Sequence, residues 1–173
     1  MKIVGDNGES LPAGEVGEVF MRPLNGDGKT YRYIGAEAKA IEGGWESLGD
    51  MGWMDEEGYL YLTDRRTDMI LSGGANIYPA EVEAALDAFP GVRSSAVIGM
   101  PDEDMGARVH AIIDRPEGPA DDQAMLAHLA ERLVRYKIPK SFEYVSEPLR
   151  DDAGKVRRQA LREARITATE TVV

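Results

Sequence analysis

Three short segments carry residue types that suit the binding of a nucleotide or a thin polar ligand. Asp50 lies between two apolar runs, and an ionised carboxylate can accept hydrogen bonds from two neighbouring hydroxyls at once. Gly73 and Gly74 precede a predicted helix, and residues without side chains let a backbone approach a ligand closely. Lys155 offers a compact cation to phosphate or carboxylate oxygens.

Each segment also has an ordinary structural interpretation. Gly49-Asp50 is typical of a tight turn, and the charged run 64–68 is typical of an exposed turn. Gly154-Lys155 does not complete a phosphate-binding P-loop, because the position five residues before Gly154 is Leu149 and not glycine. A basic cluster surrounds the lysine and suits either a small polyanion or a solvated helix face. Its members are Arg150, Lys155, Arg157, Arg158, Arg162 and Arg165.

Composition narrows the classes of protein. The 173 residues are enough for one domain or two small ones, and 43% of them are hydrophobic, as in ordinary globular proteins. The absence of cysteine excludes disulfides, thiolate zinc sites and thiol nucleophiles. A net charge of −11 argues against a nucleic-acid surface. No stretch is long and apolar enough to predict a membrane span or a signal peptide, so we expect a cytoplasmic location.

The first third of the chain predicts short strands joined by tight turns. Residues 14–21 alternate polar and apolar side chains, as a half-buried strand does. The turn signal over 55–58 separates two apolar runs and predicts a hairpin. A short helix is predicted over 31–39.

After residue 66 the pattern changes to strand, helix, strand, strand, helix, strand, helix, which predicts a compact α+β domain. Pro79 begins the first of these helices, where proline costs least, and Asp121 can cap the second. The last helix is predicted over 156–165. The predicted buried faces of the first two helices comprise Val82, Ala85, Leu86 and Phe89, followed by Met125, Leu126, Leu129, Leu133 and Val134.

In order and spacing these segments resemble the carboxy-terminal third of the acyl-CoA synthetases, the AMP-forming acid–CoA ligases of the adenylate-forming superfamily. Residues 64–79 resemble the joint and first loop of that family's mobile lid. Residues 45–53 resemble its Tyr/Trp-x-x-Thr-Gly-Asp segment, and residues 150–156 its Pro-Arg-Thr-x-Thr/Ser-Gly-Lys segment. The resemblance covers essentially the whole chain.

The resemblance implies two parts with different origins. Residues 1–66 would be the terminal β-rich part of the large AMP-binding domain. Residues 67–173 would be the mobile lid, a small α+β domain with a three-stranded sheet, helices and a two-stranded hairpin. The phosphate-binding loop and the adenylate-binding segment of the large domain are not in this sequence.

The resemblance also implies roles for residues in the first part and at the joint. Asp50 and Arg65 would bind the ribose hydroxyls of ATP, and Thr67 would be the hinge about which the lid rotates. Thr67 departs from the Asp or Lys that family members usually carry there. Leu48 likewise stands where the family has threonine.

In the lid the resemblance implies a binding site for coenzyme A and one catalytic residue. Gly73 and Gly74 would line the tunnel for the pantetheine arm, and Tyr136 would lie near the nucleotide of coenzyme A. Lys155 would insert beside the carboxylate and the α-phosphate during adenylation, where a cation stabilises the charged transition state. The acidic pair 151–152 replaces a neutral pair of the family and places negative charge beside this lysine.

The resulting hypothesis is a carboxy-terminal portion of an acid–CoA ligase, inactive alone, that works with a missing amino-terminal portion. The whole enzyme would use ATP, Mg²⁺ and coenzyme A on a carboxylic acid, with no metal ligand in this chain. A second hypothesis replaces coenzyme A by the phosphopantetheine of a carrier protein; we expect free coenzyme A, since this sequence contains no carrier domain. A third is a non-catalytic interaction module that reuses the lid fold, which the acidic pair 151–152 and the missing phosphate-binding loop would favour.

Overall fold

The computed structural model describes residues 1–24 and 39–170. The helix predicted over 31–39 therefore lies outside the described residues except for its last position. The chain divides into two compact units, Met1–Thr67 and Asp68–Val173. The boundary predicted from the sequence lies one residue earlier, between residues 66 and 67.

The first unit is a five-stranded antiparallel sheet with the spatial order β1-β2-β4-β3, in which β5 also pairs with β4. The predicted hairpin over the turn 55–58 is confirmed, because Trp53 of β4 lies opposite Tyr61 of β5. Their rings stack with centroids 4.3 Å apart. The strands are β1 (Lys2–Val4), β2 (Gly17–Met21), β3 (Ala40–Ile41), β4 (Trp45–Met54) and β5 (Leu60–Arg65).

Strand β4 continues through Gly49 and Asp50, so the interpretation of this pair as a turn is wrong. Gly49 has a φ of 74°, a conformation that glycine adopts without steric cost. The register between β2 and β4 shifts here, since Phe20 lies opposite Ser47 while Glu18 lies opposite Met51. The extra residues of β4 form a bulge, which redirects side chains without ending the strand.

The second unit contains a three-stranded sheet of order β10-β9-β8 and a separate hairpin of β6 and β7. Strands β8 and β9 are antiparallel, whereas β9 and β10 are parallel. This confirms the predicted α+β class, and β7 adds a strand to the order read from periodicity. The elements are β6 (Ile70–Ser72), β7 (Ala75–Ile77), α1 (Pro79–Asp87), β8 (Ser94–Asp102), β9 (Gly106–Asp114), α2 (Asp122–Ala130), a 3₁₀ turn (Arg135–Lys137), β10 (Ser141–Val145) and α3 (Arg158–Glu170).

Helices pack on both faces of the three-stranded sheet. On one face Val82 and Leu86 of α1, together with Met125 and Leu129 of α2, join a cluster that includes Val97 of β8. The other face consists of Ala96, Ile98, Met100 and Ile112, against which Leu161 and Ile166 of α3 pack. Burial of apolar surface on both faces explains the near-continuous apolar runs of β8 and β9.

The predicted apolar faces of the helices are mostly correct. Leu126 and Val134 are corrections, because they are 41% and 53% exposed. Helix α2 also ends at Ala130, so Leu133, which is buried as predicted, and Val134 lie beyond it. Leu126 follows the fully buried Met125 by about 100° around the helix, which turns it from the core. Helix α3 begins two residues later than predicted and extends to Glu170. None of the described helices has both the length and the apolar character needed to cross a bilayer.

Candidate functional site

Strands β4 and β5 place Asp50 and Arg65 directly opposite each other. Opposed residues of an antiparallel pair have neighbouring side chains on one face of the sheet. The bulge at Gly49 is fixed by two hydrogen bonds, from the Gly49 amide to Ser47 Oγ (2.9 Å) and from the Arg66 amide to the Gly49 carbonyl (2.9 Å). A half-buried carboxylate and an exposed guanidinium are thus presented together, which suits the binding of a pair of hydroxyls.

The residue before Thr67 is tied to the first unit by a buried carboxylate. Arg66 Nη1 donates to Glu18 Oε2 at 2.5 Å, and Lys39 Nζ donates to the same oxygen at 2.7 Å. Ser47 also donates to Glu18, which is only 3% exposed. Burial raises the pKa of Glu18, but the hydrogen bonds from Lys39 and Ser47 and the charge of Arg66 outweigh it and keep that pKa below the ordinary value.

Gly73 and Gly74 form the two-residue turn of the β6–β7 hairpin, between the paired Ser72 and Ala75. Their φ values are 56° and 82°, so both residues occupy the left-handed region that favours glycine. The Gly73 amide donates to the Met105 carbonyl at 2.9 Å, and a Cβ on Gly73 would lie 2.3 Å from the Met105 side chain. A Cβ on Gly74 would meet nothing within 4 Å. The two glycines therefore differ: Gly73 packs against Met105, whereas the space beside Gly74 is open to a ligand.

The left-handed backbone at both positions predicts similar costs of substitution. Gly74→Ala should lower the free energy of unfolding by about 1–2 kcal/mol, the cost of an L-residue in the left-handed region. Gly73→Ala should cost about the same, because its methyl displaces only the flexible end of Met105, which is 45% exposed. Urea unfolding of the two variants measures both values. A clearly larger loss in Gly73→Ala that Met105→Ala restores would contradict this expectation, because it would show that Met105 cannot move aside.

Tyr136 lies in the 3₁₀ turn and is 51% exposed. The ammonium of the adjacent Lys137 lies 5.9 Å from the centre of its ring and contacts both carboxylate oxygens of Glu81, at 2.6 and 2.8 Å. Glu81 belongs to the first turn of α1. An exposed aromatic ring beside a lysine is a suitable surface for a nucleotide base.

A tight turn carries Lys155, and Asp151 closes it. Asp151 Oδ1 accepts hydrogen bonds from the amides of Ala153 (3.0 Å) and Lys155 (2.9 Å). The Gly154 amide donates to the Asp151 carbonyl at 2.7 Å, and Gly154 has a φ of 75°. The turn leaves Lys155 exposed.

Asp151 therefore has a structural function in this turn. The hydrogen bond from the Lys155 amide, followed by that from the Ala153 amide, holds the pKa of Asp151 below its ordinary value despite some desolvation. The carboxylate is ionised at neutral pH and is directed at backbone amides. An acidic residue in this position shapes the loop that presents Lys155, which the sequence alone did not indicate.

The sequence also did not reveal a buried ionic cluster formed by Asp68, Glu83 and Arg158. Glu83, on α1, is 4% exposed and accepts hydrogen bonds from the Val97 amide (2.8 Å) and from Arg158 Nε and Nη2 (3.0 and 2.7 Å). Arg158 Nη1 also donates to Asp68 at 3.0 Å. One feature of the sequence could have indicated this cluster. Glu83 follows Val82 at the edge of an apolar helical stripe, where a carboxylate needs a partner because burying it unpaired is costly.

The predicted site residues thus fall in both units. Asp50, Arg65 and Thr67 belong to the first unit, and Gly73, Gly74, Tyr136 and Lys155 belong to the second. In the part of the chain that the structure describes, no group of three or more His, Cys, Asp or Glu side chains could hold a metal ion.

Comparison with known sequences connects this geometry to a family. Residues 81–155 match the family described as "AMP-binding enzyme C-terminal domain". The chain is 39% identical over 164 residues to indoleacetate–CoA ligase of Aromatoleum aromaticum, covering 94% of this chain and 32% of the relative. It is 40% identical over 157 residues to 2-succinylbenzoate–CoA ligase of Geobacillus kaustophilus, covering 90% and 32%. The chain spans about a third of the length of these relatives.

A solved structure shows the same fold over both units. The o-succinylbenzoate CoA synthetase of Bacillus subtilis, in complex with its acyl-adenylate intermediate, superposes with a TM-score of 0.78 at 36% identity, covering 93% of this chain and 33% of that one. The family match, the level of identity and the common fold agree. The chain therefore carries an AMP-binding enzyme C-terminal domain, and it corresponds to a carboxy-terminal portion of acyl-CoA ligases such as these.

Proposed function

We propose that this chain is the closing portion of an ATP-dependent, AMP-forming acid–CoA ligase, and that it is inactive without the amino-terminal portion its relatives carry. The observation that supports this most directly is the Asp151-closed turn that presents Lys155 at the end of the family-matched segment 81–155. The full-length protein is this chain joined to that missing portion. We place it in the cytoplasm, where ATP and coenzyme A are available.

In the first step the substrate carboxylate attacks the α-phosphorus of ATP, forming an acyl-adenylate and releasing pyrophosphate. The two reactants are both anions, so their approach requires a cation. Lys155 supplies this charge between the carboxylate and the α-phosphate and stabilises the additional charge of the transition state. Mg²⁺ would neutralise the leaving pyrophosphate, and its ligands would lie in the missing portion.

In the second step the thiol of coenzyme A attacks the acyl carbonyl carbon, forming the thioester and releasing AMP and a proton. The pantetheine arm would pass along the Gly73-Gly74 turn, where the open space at Gly74 leaves the backbone accessible. The exposed ring of Tyr136 would contact the nucleotide end. Between the two steps the lid would rotate about Thr67, which would move Lys155 out of the active site and bring the Gly73-Gly74 turn into it.

Asp50 and Arg65 would bind the ribose of ATP, which predicts a change in the KM for ATP. Asp50→Asn removes the charge of the acceptor, and a hydrogen bond to a charged group contributes about 1.5–3 kcal/mol, so we expect the KM to rise about 10-fold or more. The kcat should change little, since the ribose contact is present in both ground and transition states. Steady-state kinetics at varied ATP measures both constants. Glu56→Gln, in the exposed turn of the same hairpin, is the control, and an unchanged KM in Asp50→Asn would contradict the assignment.

Acid-dependent exchange of pyrophosphate into ATP tests the proposed function of the full-length protein, because exchange requires a reversible adenylation step. A panel of aromatic and aliphatic acids is needed, as the acid pocket is not in this chain. The acceptor is tested by supplying free coenzyme A and a phosphopantetheine-loaded carrier protein in parallel. If none of the acids supports exchange, the result would favour a non-catalytic module. The structural role of Asp151 nevertheless removes one reason for that alternative.

A further inference from the structure

The turn that carries Lys155 is flanked by two arginines that approach one buried carboxylate, and one of them, Arg158, hydrogen-bonds it. Arg150 precedes the turn, and its Nη2 lies 3.9 Å from Glu83 Oε2. Arg158 follows it and holds both oxygens of Glu83, at 3.0 and 2.7 Å. Glu83 is itself fixed by the Val97 amide of the central sheet. The turn is thereby anchored to the α1–β8 core of the second unit, although it lies far from both elements in the sequence.

The same guanidinium also reaches the joint. Arg158 Nη1 donates to Asp68 Oδ2 at 3.0 Å, and Asp68 is the residue after Thr67. The Arg158, Glu83 and Asp68 side chains are 17%, 5% and 24% exposed, so water screens these contacts only in part. Planar, bidentate pairing of arginine with a carboxylate restricts orientation as well as distance. One side chain thus joins the first residue of the second unit, helix α1 and the start of α3.

We propose that Arg158 is a positioning residue for the adenylation step. By joining Asp68 to Glu83, it fixes the Lys155 turn to the residue that follows the hinge, so that rotation at Thr67 moves Lys155 as part of a rigid body. This inference rests on the proposed function, which assigns adenylation to Lys155 and rotation to Thr67. Without the contacts of Arg158 with Asp68 and Glu83, the second unit would still rotate at Thr67, but the Lys155 ammonium would occupy a range of positions in the active site.

The exposed neighbour Arg157 provides a matched control. Its side chain is 81% exposed and lies 3.9 Å from Asp151, so it shares the charge and the location of Arg158 but not the buried contacts. Asp68→Asn provides a second, milder variant that weakens the link to the joint and keeps the pair between Arg158 and Glu83. It tests the proposal even if Arg158→Gln does not fold.

The experiment measures two half-reactions of the full-length protein: acid-dependent ATP–pyrophosphate exchange, and thioester formation from a supplied acyl-adenylate. A misplacement of about 1 Å at a catalytic group can cost 100-fold, so we expect Arg158→Gln to lower the kcat of exchange by about 10- to 100-fold and Asp68→Asn by about 3- to 10-fold. Thioester formation should stay within about threefold in both variants, and Arg157→Gln should match the parent protein in both reactions. The double variant should be no worse than Arg158→Gln, because both substitutions break one link.

Lys155→Ala, measured in parallel, separates this inference from the proposed function. If Lys155→Ala abolishes exchange while Arg158→Gln and Asp68→Asn leave it unchanged, the positioning role is wrong and the proposed function stands. If Arg158→Gln and Asp68→Asn lower both half-reactions equally, together with the thermal midpoint, Arg158 has only a structural role and the inference is overturned. If Lys155→Ala leaves exchange intact, the proposed role of Lys155 falls, and the positioning role falls with it.

Discussion

Replacing Lys155 with alanine in the full-length protein should lower acid-dependent ATP–pyrophosphate exchange by about 100- to 1,000-fold, the usual cost of removing one donor that stabilises developing charge. The turn closed by Asp151 keeps its backbone hydrogen bonds in this variant, since they use the Lys155 amide and not its side chain. The loss should therefore appear in kcat and not in the stability of the protein. Thioester formation from a supplied acyl-adenylate should change little.

Initial rates of the two half-reactions, measured on the same preparation, test this expectation. Lys140→Ala is a suitable control, because Lys140 is an exposed lysine of the same unit outside the turn. A Lys155→Arg variant should remain strongly impaired, since a planar guanidinium does not replace a compact ammonium. Normal exchange by Lys155→Ala would show that the lysine has no part in adenylation.

The second large effect concerns stability. Glu83→Ala should lower the free energy of unfolding of the second unit by about 3–5 kcal/mol, as expected when one partner of a buried ion pair is removed. The substitution leaves the Val97 amide without its acceptor and leaves Arg158 with only part of its bonding. Urea unfolding followed by helical circular dichroism measures the loss, because every helix in the described part of the chain that is longer than one turn lies in this unit.

Glu81→Ala on the same helix provides the comparison. Glu81 pairs with Lys137 at 2.6 Å, but its side chain is 44% exposed, and pairs of this kind contribute about 0–1 kcal/mol. The two variants remove the same side chain from positions two residues apart, so they differ mainly in burial. Similar losses in both would contradict the account of Glu83 as the centre of a buried cluster.

The fold of the second unit could be predicted from the sequence because its local signals agree with its tertiary structure. Pro79 begins α1 and Asp121 caps α2, as their types suggest. Gly49 was misleading, because local propensity does not distinguish a turn from a bulge inside a long strand; only the pairing of β4 with β2 and β5 decides it. Leu126 is predicted in the apolar stripe of α2, but it adjoins the fully buried Met125 at the edge of that stripe and is 41% exposed.

The candidate site residues could be predicted from sequence motifs, but the ionic cluster that we propose positions Lys155 could not. Arg158 and its two partners, Glu83 and Asp68, are separated by 75 and 90 residues in the chain, so no periodicity relates them. Asp151 was ambiguous for another reason: a carboxylate beside a lysine can oppose its function or shape its loop, and only the backbone hydrogen bonds of the turn distinguish the two. Partners distant in sequence become visible only once the sheet and helices are assembled.

The identity of the nucleotide product tests the central proposal most directly. The full-length protein would be incubated with ATP, coenzyme A and the acid that best supports exchange, and the products followed by phosphorus NMR. We expect AMP and pyrophosphate to form in equal amounts with acyl-CoA, because adenylation transfers AMP to the carboxylate. Formation of ADP and orthophosphate would indicate an acyl-phosphate intermediate and would contradict the proposal.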